Sequence, residues 1–401
     1  MRPSFRFDPP PAELNTELRW ILWRAYGPPD AAMGTGGDLD VETVTELARR
    51  FDLVARVGAR TSAEAIAEAL SPEAAEWFHK HHAGTAARAL LAEPVCRELA
   101  ENGRLLEIPL VFLKGAALLL DGTVLPGFRN MGDIDVLAPE DGARRLQAAL
   151  VESSCAAFDS RESEHQLQFL AHRSGIGIEV HKIIPGVRLG GGSSVTAGEL
   201  LEKGLVRPAP GLGDGAYLPS GGILLAHVLV HGIAQHGLSP QAYPMARMLA
   251  DVQDLEPGGE VWEAAHHWIE RDVSREELEA VADLVQRLGG GDDPEALAEA
   301  GDGAGVMLRH LLAGVLDEGY AQSLKFRSLA DRPRDMGSIP ATAKTLLGAL
   351  LLTKGQVDKL YGPPKTEFGY WGWRLWRPFD LVLRAVKYGA AWVGQRFRMR
   401  N

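Results

Sequence analysis

The chain has 401 residues, 46% of them hydrophobic, which is about two to three times the length of a typical domain and predicts two or three cooperating units with sizeable cores. Its 42 basic and 53 acidic residues give a net charge of −11, which argues against a protein that wraps a long nucleic acid through phosphate contacts. A small anionic substrate held at one basic or metal-filled site is not excluded.

The two cysteines, Cys96 and Cys155, have neither the number nor the spacing of a disulfide framework or a zinc knuckle. We expect both to be buried in a protein of a reducing compartment. No apolar run follows the first arginines, so no signal peptide is expected. The richest apolar stretches, 223–234 and 345–353, are shorter than the ~20 residues that span a bilayer. The sequence therefore predicts a cytoplasmic protein without a transmembrane segment.

The first hundred residues are expected to be helical. Between residues 11 and 101 alanine, leucine and glutamate recur at spacings of three and four, the period of an amphipathic helix. A glycine-rich stretch at 33–38 is read as a loop within this part. We assign residues 1–104 to a helical N-terminal region.

The hydrophobic period changes after this region. PLVFL at 109–113 predicts a short buried strand, and a turn at Lys114 and Gly115 leads into a brief helix. DIDVLA at 133–138 predicts a second strand, followed by an amphipathic helix that starts near Pro139. GIGIEVHKII at 175–184 is a third strand candidate. We assign residues 105–205 to a catalytic domain with a small mixed sheet.

Helical patterns return after a glycine-rich loop at 190–194. The clearest are ILLAHVLVHGIAQHG, which begins at residue 223, and YPMARMLADVQDL at 243–255. GGGDDPE at 289–295 is expected to separate two helices. Residues 206–401 are assigned to a C-terminal helical domain that closes a cleft over the sheet and ends in a tail rich in Trp and Arg. The predicted fold class is α+β, with a small mixed-sheet domain flanked by two helical regions.

Acidic side chains mark one face of the predicted sheet. Since side chains alternate along a strand, Asp133 and Asp135 point the same way, about 7 Å apart, and their apolar neighbours face the opposite side. The same alternation places Glu179 and His181 together on the later strand. If the two strands are neighbours, three carboxylates converge.

Converging carboxylates repel one another and are costly to bury unless they are protonated or neutralised by cations. Mg²⁺ (or Mn²⁺) is the natural partner, because a hard ion binds carboxylates and substrate phosphates in one coordination sphere. A pair of such ions about 4 Å apart would serve nucleotidyl transfer. We therefore name Asp133, Asp135 and Glu179 as candidate catalytic residues and metal ligands.

A phosphate-binding part is expected beside these acids. Glycine at the turn after the first strand lets the backbone approach phosphate oxygens, next to the free N–H groups of a helix start. Lys114 and Arg129 would add a point charge and a forked charge. The candidate nucleotide- and phosphate-binding residues are Lys114, Gly115, Arg129 and Gly132.

The histidines have two interpretations each. His181 and His165 are candidate substrate contacts, and a structural role is equally open for both. His227, His231 and His236 follow one another at spacings of four and five, which suggests zinc. Because their helix is apolar all round and lacks the H-E-x-x-H pattern, we favour helix packing for these three.

Several segments together resemble a known family. LKGAALL, GFRNMGDIDVLAP, EHQLQFL around His165 and IEVHK occur in this order, as in the uncharacterised nucleotidyltransferase family of the polymerase-beta-like nucleotidyltransferase superfamily. LLAHVLVHGIAQH with ARMLADVQDL, and DKLYGPPKTEFGYWGWRLWRPFD, are similar to its helical and C-terminal parts, so the resemblance extends over about residues 105–385.

The resemblance implies an NTP donor, a divalent metal, transfer of a nucleoside monophosphate and release of pyrophosphate. It leaves the acceptor open among small molecules, peptides and protein side chains. The superfamily signature usually begins Gly-Ser or Gly-Gly, whereas Lys114, Gly115 and Ala116 stand here, and Gly115 precedes Asp133 by 18 residues, a longer gap than most members show. The branch that the chain resembles shares both features. The alternative is a catalytically silent module of the same fold that binds nucleotide, peptide or protein.

Two further features can be interpreted as either structural or functional. Residues 368–401 hold four of the nine tryptophans and seven arginines and lysines, which would suit a helix at a membrane surface or a peptide-binding flap. We favour aromatics that close a helical core while the arginines extend outward. Asp251 could approach the site from the helical domain, but we favour a helix-surface acid.

Overall fold

The computed structural model of the protein describes residues 14–29, 38–158, 162–190, 192–235, 245–321 and 366–398, together with residues 9, 357, 362 and 364. Almost all of the predicted loop at 33–38, the apolar stretch at 345–353 and His236 lie outside these ranges. Within them the protein is mixed α/β, with a seven-stranded sheet and flanking helices. This confirms the predicted fold class.

The described part of the chain before the sheet is helical, as expected. Its helices are α1 (Thr16–Tyr26), α2 (Val41–Arg50), α3 (Val54–Arg60), α4 (Ala63–Ala69) and α5 (Pro72–Leu105). Short polar side chains cap all of them except α3. Asn15 accepts the N–H of Leu18 at α1 and Ser71 accepts that of Ala74 at α5, each satisfying a donor that the helix itself leaves free.

The sheet is mixed, with the strand order β3-β4-β5-β2-β1-β7-β6. Its strands are β1 (Leu110–Phe112), β2 (Asp133–Leu137), β3 (Cys155–Ala157), β4 (Leu170–His172), β5 (Gly177–His181), β6 (Val206–Pro208) and β7 (Ala216–Pro219). At its centre β2 runs antiparallel to β1 and parallel to β5, and β1 runs parallel to β7.

The three predicted strands correspond to β1, β2 and β5. The last begins at Gly177 instead of Gly175, because Gly175 has a φ of +83° and its N–H bonds to the carbonyl of His172 in the turn between β4 and β5. It also ends earlier than predicted, at His181. Strands β6 and β7 extend the sheet beyond residue 205. The division at residues 104 and 205 stays a prediction.

Helices follow within and after the sheet. Those within it are α6 (Lys114–Leu120), α7 (Glu140–Ser153) and α8 (Ala197–Glu202). Those after it are α9 (Gly221–Leu229), a π-helical segment (Val230–Gln235), α10 (Met245–Leu255), α11 (Gly259–Ile269), α12 (Arg275–Gly290), α13 (Pro294–Glu299), α14 (Gly303–Leu316) and α15 (Glu367–Arg398). The predicted break at 289–295 separates α12 from α13, where Gly291 ends α12 in the left-handed conformation.

The two faces of the sheet contact different cores. Ile134 and Val136 of β2, with Ile178 and Val180 of β5, pack on the face that the second half of α5 and α7 cover. On the opposite face, Leu137 packs in a larger core, which is formed by helices from before and after the sheet. We call the helices of this larger core, α1–α4 and α8–α14 with the start of α5, the helical body. The acidic positions of β2 and β5 alternate with the apolar ones, so they lie on the face that the helical body covers.

The predicted burial of the cysteines is confirmed, whereas the predicted burial of the tail aromatics is not. Cys96 and Cys155 are buried, as expected, and burial raises the pKa of the Cys96 thiol to about 12. In α15, however, Phe368, Trp371 and Phe379 are exposed, so our expectation that the tail aromatics close a helical core is wrong for these side chains. A search of the described helices finds none with the length and apolarity needed to cross a membrane.

Candidate metal and nucleotide site

The register between β2 and β5 brings the predicted acids together. Asp135 pairs with Glu179, Asp133 pairs with Gly177, and Leu137 pairs with His181. Because the two strands run parallel, the alternating positions of both face the same way, toward the helical body. The expectation that the strands are neighbours, on which the three-carboxylate hypothesis depends, is therefore confirmed.

Asp135 is the centre of the cluster. Its Oδ1 accepts from Lys114 Nζ at 2.8 Å and lies 2.7 Å from His181 Nε2, which is also 3.5 Å from Glu179 Oε2. One ligand atom each from Asp135, Glu179 and His181 lies within 4.8 Å of the other two. We call these three residues the acid–histidine group. It has the spacing needed to hold a metal ion, and it contains His181 in place of the predicted ligand Asp133.

The carboxylates differ in their ease of ionisation. Burial raises the pKa of Asp133, and the negative charges of Asp135 and Glu179 raise it further, against the opposing charge of Lys114. Burial also acts to raise the pKa of Asp135, but the charge of Lys114 and the hydrogen bond from His181 outweigh it and hold that pKa well below its usual range. Negative charge at Asp133 is therefore under-compensated by the protein, which is the condition that favours an added cation.

Lys114 reaches Asp135 from an unusual backbone conformation. It follows β1 with a φ of +46°, in the left-handed region, which costs a residue other than glycine roughly 1–2 kcal/mol. Such strain persists where the surroundings fix the residue, and it is common at functional sites. In this structure the Lys114 ammonium serves Asp135; its predicted contact with phosphate stays a prediction.

Arg129 is fixed between the sheet and helix α10. Its Nε donates to Asp251 Oδ1 at 2.8 Å, and the side chain of Asp251 is only 1% exposed. Our expectation of a helix-surface acid is therefore wrong for Asp251. The physical reason is the period of α10, in which Met248, Leu249 and Val252 are buried and Asp251 falls on the same stripe.

Gly115 makes room for this arginine. A Cβ on Gly115 would lie 2.1 Å from a terminal guanidinium nitrogen of Arg129 and 2.8 Å from the sulfur of Met131. A Cβ on Gly132, by contrast, would meet no atom within 4 Å. In this structure the close approach at Gly115 is thus made by an arginine side chain, while the backbone at Gly132 is open.

Gly115→Ala is expected to lower the free energy of unfolding by about 2 kcal/mol, the usual cost of an added methyl group in a tightly packed place. The new methyl group has to displace the Arg129 guanidinium and weaken its bond to Asp251. Urea denaturation measures the change. The matched control is Gly132→Ala, expected within about 0.5 kcal/mol of the native protein; equal effects of the two variants would contradict the packing argument.

The candidate substrate histidines lie beside the group. The rings of His165 and His181 are stacked, with centroids 6.0 Å apart. Burial, and then the charges of His181 and Lys114, lower the pKa of His165 to about 4, so its imidazole is neutral at pH 7. For His181 burial acts to lower the pKa, but hydrogen bonds to Asp135 and Glu179 raise it overall.

The histidines of α9 and the π-helical segment do not belong to the acid–histidine group. His227 is buried, and burial, then the charge of Lys114, holds its pKa well below its usual range. His231 Nδ1 bonds to Gln235 Oε1 at 2.8 Å. Among the described residues the metal-spaced group does not include His227 or His231. The packing interpretation of the three histidines stays a prediction. Helix α9 nevertheless lies close to the site, because it packs against α6, which begins at Lys114.

A comparison with known families places the chain. The sequence model of a family described as uncharacterised nucleotidyltransferase matches residues 37–268, more than half of the chain. The protein therefore belongs to this family of nucleotidyltransferases. The matched part runs from the N-terminal helices through the whole sheet and α10, and so contains every residue of the site described above. No curated protein and no solved structure matches the chain.

Proposed function

We propose that the protein is a metal-dependent nucleotidyltransferase, which moves a nucleoside monophosphate from an NTP to a small-molecule or peptide/protein acceptor with pyrophosphate as the leaving group. Besides the family of the chain, the main observation that supports this proposal is the pairing of β2 with β5. The parallel register of β2 and β5 sets Asp135 opposite Glu179, with His181 completing a group whose ligand atoms lie within 4.8 Å of one another.

The donor set fits a divalent ion. We propose that Asp133, Asp135 and Glu179 hold Mg²⁺ or Mn²⁺, since carboxylate oxygens suit both ions. Burial and neighbouring charge already raise the pKa of Asp133, and a cation would reverse that effect. When bound, the metal would supply positive charge to the reacting phosphate and orient it.

The chain's own cations and histidines complete the proposed site. Lys114 and Arg129 would bind the triphosphate, and the open backbone at Gly132 and the turn at Gly115 would lie along it. Asp251 holds Arg129 in place before substrate arrives, which lowers the entropic cost of binding. Neutral His165 is a proposed substrate contact.

A cleft next to Arg129 offers room for part of a substrate. It has a volume of about 160 Å³ and lies between α5, the loop that carries Phe128 and Asn130, and α10 with Arg247. Its lining carries both signs of charge, which suits a polar molecule. We propose a cytoplasmic reaction, consistent with free buried Cys96 and Cys155, and no long nucleic acid as partner.

A catalytically silent binding module is the second candidate. The observation that favours it is the pairing of Asp135, whose Oδ1 already contacts both Lys114 and His181. An acid neutralised in this way needs no metal to remain buried. Such a protein would bind a nucleotide, peptide or protein without releasing pyrophosphate.

Calorimetry with each of the four NTPs and MgCl₂ or MnCl₂, followed by a pyrophosphate-release assay over amino acids, amino sugars and peptides, separates these functions. Release by the native protein is expected to fall about 100-fold or more in Glu179→Gln. The matched control, Glu152→Gln, replaces an exposed acid of α7 and should keep native release. Binding without release for any acceptor would favour the silent module, and neither binding nor release would contradict both.

A further inference from the structure

We propose that His181 is itself a metal ligand, and that its nitrogen makes the site selective for a first-row transition ion, represented by Mn²⁺, over Mg²⁺. This inference rests on the proposed function, since it concerns the ion that the function uses. It goes further by naming a ligand outside the three carboxylates and the property which that ligand confers.

The geometry at the end of β5 supports this role. His181 is 3% exposed, and its Nε2 contacts Asp135 at 2.7 Å and Glu179 at 3.5 Å. All three side chains lie on the face of the sheet that the helical body covers, and their ligand atoms are within 4.8 Å of one another. A shared ion at this position would therefore contact His181 Nε2 and the carboxylates of Asp135 and Glu179.

The imidazole ring of His181 is oriented by the contacts of one of its two nitrogens. The other ring nitrogen of His181, Nδ1, is buried and has no hydrogen-bond partner within the described ranges. The imidazole is thus held through Nε2, the atom that faces the carboxylates.

The chemistry of the donors sets the selectivity. Mg²⁺ binds oxygen ligands and releases its waters reluctantly, whereas the divalent ions of the first transition row bind mixed nitrogen and oxygen sites, with an affinity that is lowest for Mn²⁺ and rises toward Cu²⁺. Two carboxylates and one imidazole form a mixed nitrogen and oxygen set. Such a set favours Mn²⁺ over Mg²⁺ even though both ions accept the oxygen ligands.

Electron paramagnetic resonance of Mn²⁺ added to the full-length protein tests the proposal without any acceptor. The loss of the free-ion signal gives the dissociation constant, and competition with MgCl₂ gives the selectivity. Electron spin echo modulation shows whether a nitrogen nucleus is bound to the manganese. We expect nitrogen coupling in the native protein, and its replacement by ¹⁵N coupling when only histidine is labelled with ¹⁵N.

His181→Gln keeps a donor oxygen at similar reach. This variant is expected to lose the nitrogen coupling and to bind Mn²⁺ about tenfold or more weakly, with little change for Mg²⁺. His165→Gln is the matched control, since that ring stacks on His181 but is outside the acid–histidine group. It should retain the nitrogen coupling and the preference for Mn²⁺.

The outcomes separate this inference from the proposed function. Bound Mn²⁺ without histidine nitrogen coupling, or an unchanged ion preference in a folded His181→Gln, would overturn the inference and leave a carboxylate metal site intact. No binding of either ion would contradict the metal-dependent function itself. If His181→Gln does not fold, the ¹⁵N-histidine spectrum of the native protein still decides the question.

Discussion

Asp135→Asn is expected to lower the free energy of unfolding of the metal-free protein by about 3 kcal/mol at pH 7, whereas Asp133→Asn should leave it unchanged or raise it. Both variants should lose nucleotidyl transfer by about 100-fold or more. The two acids stand two residues apart on one face of β2, but their surroundings differ. Asp135 neutralises Lys114 and His181, so its loss leaves two buried donors without their carboxylate.

The pH dependence follows from the opposite pKa shifts. The pKa of Asp135 is depressed in the folded protein, so its stabilising contribution is present above about pH 4 and is lost as the pH falls toward the depressed value. The pKa of Asp133 is raised, so this residue lowers the stability progressively as the pH rises above about 4, the unfolded-state value, and the cost is complete once the pH exceeds the raised value. Asparagine at position 133 removes this cost.

Urea denaturation in EDTA at several pH values between 3 and 8, together with pyrophosphate release in MnCl₂ or MgCl₂, measures both effects. The curve for Asp135→Asn should approach that of the native protein at the acid end. Equal destabilisation by the two variants would show that the charge distribution described here is wrong. Retained turnover in Asp133→Asn would instead remove that residue from the catalytic set.

Breaking the pair of Arg129 and Asp251 is expected to have the second large effect. Arg129→Met should lower the free energy of unfolding by about 3–5 kcal/mol, because it leaves a carboxylate buried and uncompensated. The side chains are 11% and 1% exposed, and they join the loop before β2 to α10. The affinity for NTP should fall as well, since Arg129 is a proposed ligand of the triphosphate.

A double-mutant cycle measures the interaction free energy between Arg129 and Asp251. Arg129→Met combined with Asp251→Leu removes both charges, so it should cost less than the sum of the single variants. Arg144→Met is the control, because its bond to Glu162 is exposed and contributes about 1 kcal/mol or less. Additive costs in the cycle would contradict a direct interaction. Calorimetry with an NTP measures the loss of binding.

The sequence predicts the elements with a strong local pattern. β1 is a continuous run of buried apolar residues, and in β2 and β5 such residues alternate with the acids. The positions of these strands and the shared face of Asp133, Asp135 and Glu179 could therefore be predicted from the sequence. β3, β4 and β6 have three residues each, which is too short for alternation to stand out from a loop. Their membership in the sheet follows only from pairing with strands that are already present.

The partners of the site residues depend on distant parts of the chain. Arg129 and Asp251 are 122 residues apart, and no local pattern connects them, although an acid on the apolar stripe of α10 is a signal that a buried partner exists. The contact of His181 with Asp135 depends on the relative register of two strands. Alternation gives the face of each side chain, but only the pairing of β2 with β5 gives its neighbour.

The way in which the chain enters and leaves the sheet limits how the site can open. Helices from before and after the sheet share one core, so the sheet is an insertion within a single helical body. The chain enters through β1 and leaves through β7, and these two strands are hydrogen-bonded neighbours. Between β5 and β6, however, the chain returns to this core, since Ile184, Val187 and Leu200 are buried in it. The end of β5 that carries His181 is therefore fixed to the helices as well, so the sheet cannot swing open about β1 and β7 alone.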